Sequence, residues 1–447
     1  MFRRLGLATS LSLACLACFG REDRPRLVVL VSIDTLRADH LGLYGYERPT
    51  SPSLDALALE SAVFEEATSS SPWTLPAHAT LLTGLYPSRH GLTSHARYLS
   101  SDLTTLAQLF SQAGYRTAAV VNSHNLGPEF GLDRGFQQYS YVEERVERRE
   151  PSSEITDQGL EWIEDAGKSP LFLFLHYYDV HSDYASLPGY ESEFLRPYEG
   201  IADGSTAQLA AYREGKVSLS PADAPNLIDR YDAGIRQMDA EIGRILDFLR
   251  ERGFWERTLF VVTSDHGEEF FEHGGVLHGQ TQYQEVLRVP LLVKGPGVPQ
   301  GRRVRAPVSL VDVAPTVLTR AGIAVPEGLD GVDVARLWSE GDRALEARYL
   351  FSEADHNNVE HDITRAVRYK SFKLHFNRLS REYRLYDLSR DPAEQADVSD
   401  ISAGQEQAFA SLSERLDQFM AIEKVEAPVR SLSEEEIEKL RSLGYLR

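Results

Sequence analysis

Five stretches of the chain are apolar almost without interruption: RLVVLVSID from Arg26, YRTAAVVNS from Tyr115, PLFLFLHYYD from Pro170, RTLFVVTSDHG from Arg257 and RVPLLVKGPG from Arg288. A strand with one wet face alternates apolar and polar residues, so these runs predict strands buried on both faces. Between them lie segments whose apolar residues recur three and four positions apart: SPSLDALALESAVFEEA from Ser51, TTLAQLFSQAG from Thr104 and NLIDRYDAGIRQMDAEIGRILDFLRERG from Asn226. That spacing predicts helices. Strands alternating with helices give an α/β fold with a largely parallel sheet and helices on both sides. After Gly322 a Pro- and Gly-rich link leads to shorter strand-like segments, TRAVRYKSFKLHFN and YRLYDLSRD, and then to helical SAGQEQAFASLSERLDQFMAIE. These predict a smaller subdomain packed on the first. The end, SEEEIEKLRSLGYLR, reads as a capped helix with an apolar hook, and VEERVERREP from Val142 to Pro151 as solvated surface.

The chain has 447 residues, 42% hydrophobic and 26% charged, enough for a large core. Lys plus Arg at 47 against Asp plus Glu at 67 gives a formal charge of −20, which repels nucleic acid phosphates. A nucleic acid partner is not expected. The opening MFRRLGLATSLSLACLACFG places Arg3 and Arg4 before a short apolar run, the layout of an export signal and too short to span a bilayer comfortably. The only cysteines, Cys15 and Cys18, fall in this run, so the mature chain has no internal disulfide. The run resembles a bacterial lipoprotein signal, with Cys15 or Cys18 as the tether, although the residue three before each departs from the usual leucine. An exported chain in the periplasm or cell envelope, lipid-anchored or plainly secreted, is expected.

In sheets of this kind, sites form beyond the carboxyl ends of the strands. Four of the runs end in polar residues there: Asp34; Asn122 with His124; Asp179 with His181; Asp265 with His266. Asp34 alone could cap the next helix. Together with Asp265 and His266 it makes two carboxylates and an imidazole, a set that suits a divalent metal. Thr74 stands where a helix should begin, between Trp73 and Pro76. A hydroxyl there can cap the helix or, beside a metal ion, act as a nucleophile.

These residues lie in blocks that resemble the sulfatase family of the alkaline phosphatase superfamily. SIDTLRADHLGLYGY, LLTGLYPSRHG, AGYRTAAVV, VTSDHGEEFFEHGG, LRVPLLVKGPGVPQGRRV, VSLVDVAPTVLTRAGI and YRLYDLSRDPAEQ carry the likeness, from about Leu27 to Asp397. It implies an alkaline-phosphatase-like architecture: a mixed, mainly parallel central sheet between helices, with a smaller C-terminal α+β subdomain. On this reading residues 1–20 are the signal, 26–322 the catalytic domain and 323–447 the C-terminal subdomain and tail. Counting back from Leu81-Leu82-Thr83-Gly84, the family's Cys-x-Pro-x-Arg box falls on Thr74-Leu75-Pro76-Ala77-His78. The cysteine that sulfatases oxidise to formylglycine is therefore threonine here. Ser70-Ser71-Pro72 offers a serine version at the wrong distance and is set aside.

Other departures cluster around it. The second aspartate of the family's pair is Thr35, its arginine is His78, its Asp-Asn metal pair is Asp265-His266, and two sulfate-holding lysines are Asn122 and His278. His124 keeps the place of a family histidine, and His181 resembles another near the leaving group. The ligands Asp34, Thr74, Asp265 and His266 are similar to those of threonine-using phosphodiesterases and phosphoethanolamine or glycerol-phosphate transferases. One divalent metal is thus implied, zinc or manganese before calcium or magnesium, with His78, Asn122, His124, His181 and His278 holding the anion or protonating the leaving oxygen. Any one of those five could instead be structural. A second metal on some of Asp179, His181, His278 and His361 is compatible with the spacing. Arg37 could reach the site or pair with Asp39, and Glu268 and Glu269 read as surface or supporting residues.

Three functions follow as expectations. The first is a metal-dependent hydrolase of sulfate or phosphate esters acting through a Thr74 intermediate, on a small anionic ester or a sulfated or phosphorylated glycan or lipid. The second is a phosphodiesterase or a transferase of the phosphoethanolamine or glycerol-phosphate type. The third is an inactive lipoprotein that binds an anionic glycan; the retained Asp34, Asp265 and Thr74 hydroxyl argue against it.

Overall fold

In chain order, the strands of the N-terminal part are β1 (Leu27–Ile33), β2 (Ala62–Thr68), β3 (Arg116–Val121), β4 (Gln138–Tyr141), β5 (Leu171–Tyr177), β6 (Thr258–Ser264), a short ribbon of β7 (Glu269–Phe270) and β8 (Val276–Leu277), then β9 (Arg288–Lys294), β10 (Arg302–Val304) and β11 (Val308–Ser309). All but the ribbon join one sheet in the order β10-β2-β9-β6-β1-β5-β3-β4, with β11 also on β2. β9 runs antiparallel to both β2 and β6, and the other pairings are parallel. The sheet is mixed and mainly parallel. The computed structural model describes residues 24–143, 151–345, 347–354, 364–397, 403–422 and 425–442. The expected signal with Cys15 and Cys18, most of the charged run after Val142, His361 and the final apolar hook lie outside them. Among the described residues no helix is long and apolar enough to cross a membrane.

β1 shows why the apolar runs are continuous. Leu27, Val29, Val31 and Ile33 pack in one core with Leu227, Tyr231, Ile235 and Ile242 of the helix Ala224–Glu251. Val28 and Leu30 point the other way, into a second core with Leu75 and Leu82 of the helix Thr74–Thr83 and with Phe110 and Val317. Each fully buried Val or Leu contributes about 2 kcal/mol, so both faces are held. The helix Leu106–Gln112 begins on a reciprocal cap, Thr105 Oγ1 accepting from Gln108 N and Gln108 Oε1 from Thr105 N.

One expected helix divides in two. Only Pro52–Ala58 of the segment from Ser51 is helical, and Ala62–Thr68 is β2. Ala62, Val63 and Phe64 sit opposite Val293, Leu292 and Leu291 of β9. The cross-strand ladder and the β-branched and aromatic side chains outweigh a local spacing that fits either element.

Beyond this first part, β12 (Tyr349–Ala354), β13 (Thr364–Tyr369), β14 (Phe372–Asn377) and β15 (Tyr383–Asp387) form an antiparallel sheet in chain order. The helix Ala403–Met420 covers it through Leu412 and Leu416, against Val367, Leu374, Phe376 and Leu385. Glu353 fastens this sheet to the loops around Thr74. Its N–H donates to Ser70 O at 2.9 Å, and its Oε1 accepts from Ser88 N at 2.8 Å.

Candidate active site

β1 and β6 are parallel and in register, Ile33 opposite Ser264, so the residue after each strand arrives at the same level: Asp34 beside Asp265. Thr35 then turns the chain at φ +55°, in a region that β-branched residues rarely occupy. Local bonds hold the turn. Thr35 N donates to Asp265 Oδ1 at 3.2 Å, Tyr231 OH donates to Thr35 O at 2.7 Å, and Leu36 N donates to Ser264 Oγ at 2.9 Å. Gly267 keeps the second chain in place, because a Cβ there would lie 2.0 Å from Glu285 O.

Thr74 opens the helix Thr74–Thr83, whose amino end favours negative charge. Its Oγ1 lies 3.4 Å from His266 Nε2. The same nitrogen is 3.3 Å from Asp265 Oδ2 and 3.8 Å from Asp34 Oδ1, and all four residues are fully buried. His266 Nδ1 is 2.9 Å from Gly267 O, which fixes the tautomer: Nδ1 carries the proton and donates to the carbonyl. Nε2 therefore turns a lone pair towards two carboxylates and a hydroxyl oxygen. Burial pushes the Asp265 carboxyl up to about 6, despite His78 nearby, and drives the His266 imidazole far below its ordinary value. Among the described residues Asp265 Oδ2 has no hydrogen-bond partner. Two carboxylates and an imidazole lone pair converge with only the Thr74 hydroxyl to place a proton among them, a set that fits a cation, and Asp34, Asp265 and His266 offer ligand atoms all within 4.8 Å of one another.

The remaining candidates fall in three places. His78 sits underneath, with Nδ1 2.9 Å from Thr74 O, Nε2 2.9 Å from Ser32 Oγ, and Nδ1 3.5 Å from Asp265 Oδ2. Both nitrogens are engaged, so it supports the cluster from below. His181 and His278 lie on the other side; the His278 ring is 4.3 Å from that of His266 and 5.0 Å from that of His181. Burial lowers His181 to about 3. Asn122 and His124 follow β3, two strands from β1 and so on the order of 10 Å away. Among the described residues neither amide atom of buried Asn122 has a hydrogen-bond partner, and His124 lines a cavity of about 260 Å³ with Glu129, Tyr141, Ser433 and Glu436. A larger cavity of about 750 Å³, lined by Arg37, Glu66, Arg288 and Arg368, includes none of the four clustered residues.

Some expectations change. Of the two readings of Glu268 and Glu269, surface or supporting, the burial of both favours the supporting one. Glu268 Oε1 is 2.9 Å from His278 Nδ1, and its Oε2 accepts from Tyr184 OH at 2.9 Å. Asp179 turns to the long helix, accepting from Gln237 Nε2 at 3.0 Å, so the second metal group with His181 and His278 does not assemble among the described residues. Arg37 pairs with Asp39 at 2.7 Å and Glu272 at 2.5 Å. Sequence reasoning missed His176, whose Nε2 is 3.3 Å from Asp34 Oδ2; a lone histidine in the apolar run FLFLHYYD was its signal.

A sulfatase family model matches residues 26–323, well over half of the chain, and an "N-sulphoglucosamine sulphohydrolase, C-terminal" model matches residues 272–422. The chain belongs to the sulfatase family. This family member is 25% identical over 482 residues to the N-acetylglucosamine-6-O-sulfatase of Bacteroides thetaiotaomicron, covering 87% of this chain and 85% of that protein. Its fold is similar to the structure of BT4656 in complex with its substrate D-glucosamine-2-N,6-O-disulfate, with a TM-score of 0.76, 22% identity, and coverage of 90% and 99%. The phosphonate monoester hydrolase of Agrobacterium radiobacter gives a TM-score of 0.73 at 20% identity, covering 92% of this chain and 100% of that one. The sulfatase-family chain is thus a sulfuric ester hydrolase in type, on an alkaline-phosphatase-like scaffold.

Proposed function

We propose that this chain is a metal-dependent hydrolase of sulfate or phosphate esters that works through a covalent ester on Thr74. The observation that carries the reading is the unprotonated Nε2 of His266, facing Asp265, Asp34 and the Thr74 hydroxyl with no water-exposed surface between them. Asp34, Thr74, Asp265 and His266 would hold one divalent cation. Such an ion polarises the ester and lowers the pKa of the bound hydroxyl. Two carboxylates and an imidazole suit zinc or manganese better than calcium, which prefers an all-oxygen shell.

Thr74 Oγ1 gives up its proton and forms a bond to sulfur or phosphorus while the bond to the leaving oxygen breaks, and that oxygen takes up one proton, so the first transfer neither gains nor loses protons. His278, oriented by Glu268, and His181 beside it are the imidazoles on that side of the cluster. Water then attacks the same sulfur or phosphorus, frees the anion and returns the hydroxyl to Thr74. A threonine ester has no hydrate that could collapse by elimination, so this second attack is required. The unpartnered Asn122 amide supplies donor and acceptor atoms for the anion or its alcohol. The N-acetylglucosamine-6-O-sulfatase relative supports a sulfated glycan as substrate, and the N-terminal run supports an exported, envelope-associated enzyme.

The test is a comparison of aryl sulfate, aryl phosphate and an aryl phosphodiester on wild type and Thr74→Ala. Turnover of a monoester by wild type, lost by about a thousandfold or more in the variant, is expected. A sulfate or phosphate ester should also be found by mass spectrometry on the peptide that carries Thr74. Equal turnover by both proteins removes Thr74 from the reaction.

A further inference from the structure

One imidazole beneath the metal cluster has no evident reason to be there. His176 is fully buried on β5, opposite Ser32 in the ladder, and its ring lies 4.9 Å from that of His78 at 73°. Its neighbours on the same strand face, Phe172 and Phe174, belong to the apolar core. Among the described residues neither of its ring nitrogens has a hydrogen-bond partner. A buried polar group left unmade costs about 1–3 kcal/mol, so leucine would serve this core better. A function is needed to explain the histidine.

The two oxygens of Asp34 show what that function is. Oδ1 faces the cluster, 3.8 Å from His266 Nε2, whereas Oδ2 faces away, 3.3 Å from His176 Nε2. His176 itself stands outside the group whose ligand atoms lie within 4.8 Å of one another. We propose that His176 is a positioning residue for the metal site, donating Nε2–H to Asp34 Oδ2 so that Oδ1 is held towards a divalent cation. The proposal rests on the metal reading above. At 3.3 Å the two atoms are within hydrogen-bonding reach, and the in-register pairing of Ser32 with His176 fixes the two strands relative to one another. Partners behind a metal ligand restrict its orientation before the ion arrives, and their loss typically weakens affinity about 10–100-fold.

The experiment uses the full chain as wild type, His176→Leu and His176→Gln. Zinc and manganese affinities are measured by competition with a chromogenic chelator, and the melting of each metal-free protein is recorded. His176→Leu should bind at least about tenfold more weakly. Its metal-free form should melt close to wild type, because the bond to Asp34 Oδ2 that it loses is offset by the better fit of leucine to the apolar core around Phe172 and Phe174. His176→Gln, whose amide can donate from nearly the same point, should recover most of the affinity. A purely structural role predicts the reverse: lower melting of the metal-free leucine variant with unchanged affinity. That result, or equal weakening by leucine and glutamine, overturns the proposal. Should the leucine variant fail to fold, imidazole nitrogen resonances of the zinc-loaded wild type decide; a proton on Nε2 of His176 supports the proposal and one on Nδ1 overturns it. A wild-type chain that binds neither ion removes the metal reading itself, whereas normal wild-type binding with an indifferent leucine variant removes only His176.

Discussion

His266, Asp34, Asp265 and Thr74 acquire their chemistry from complete burial. Burial raises the Asp265 carboxyl and suppresses protonation of His266, so without a cation the site holds acceptors that repel one another. His266→Ala should abolish metal binding in a chelator-competition titration and reduce turnover at least about a hundredfold. Glu268→Gln is a subtler test. It keeps the shape beside His278 Nδ1 but removes the charge, so kcat should fall about tenfold or more with KM little changed, as read from steady-state kinetics. Unchanged kcat would show that His278 needs no carboxylate. The cluster itself was legible in the sequence, because Asp34 and Asp265-His266 end two apolar runs and the count back from LLTG reaches Thr74. Glu268 was legible only as one of two readings. An acidic residue there fits the surface or a supporting place, and only the packing of Tyr184 and His278 around it decides for the second.

At the scale of elements, parallel register does the positioning. β1 and β6 end level, which places two carboxylates side by side although they are far apart in sequence. Gly267 is the tightest point of that arrangement, since any Cβ would strike the backbone of Glu285. Gly267→Ala should destabilise the chain by about 1–3 kcal/mol in denaturant unfolding and shift His266 enough to weaken metal binding. A variant with wild-type stability and affinity would mean that the loop from Asp265 to Glu269 yields freely. Strands buried on both faces announce themselves as continuous apolar runs, which is why β1, β3, β5, β6 and β9 were readable. β2 was hidden in a longer apparent helix, because Val63, Phe64 and Ala67 fit both periodicities and the deciding contacts come from β9. His176 escaped notice for a related reason: inside a strand, nothing local says which of the two faces meets Asp34.

Across the whole molecule, the C-terminal sheet is bonded to the loops that carry the site. Glu394 links the two parts: its carboxylate is 3.0 Å from Lys373 and 2.9 Å from His375, and accepts from Gln284 N at 2.7 Å. Burial would raise this carboxyl, but Lys373 and His375 outweigh it and hold it down at about 2, from an ordinary 4.5. A carboxyl lowered on folding stabilises the folded chain above its unfolded pKa and loses that contribution as the pH falls through the folded value. The loss should therefore run from about pH 4.5 to about pH 2, with an upper limit of about 3 kcal/mol. Glu394→Gln should lower melting at neutral pH and flatten the acid limb of the stability curve. An unchanged acid limb would show that the link contributes nothing. Nothing local along the chain marks this junction, since Lys373, His375 and Glu394 meet Gln284 only when the two sheets pack.

The account depends above all on one divalent cation at Asp34, Thr74, Asp265 and His266. Its most direct test is to strip the purified wild-type chain with a chelator, confirm by elemental analysis that no zinc or manganese remains, and follow hydrolysis of an aryl sulfate and an aryl phosphate. Activity should vanish in the stripped chain and return as one equivalent of zinc or manganese per chain is added back. Full turnover by the verified metal-free chain would contradict the account.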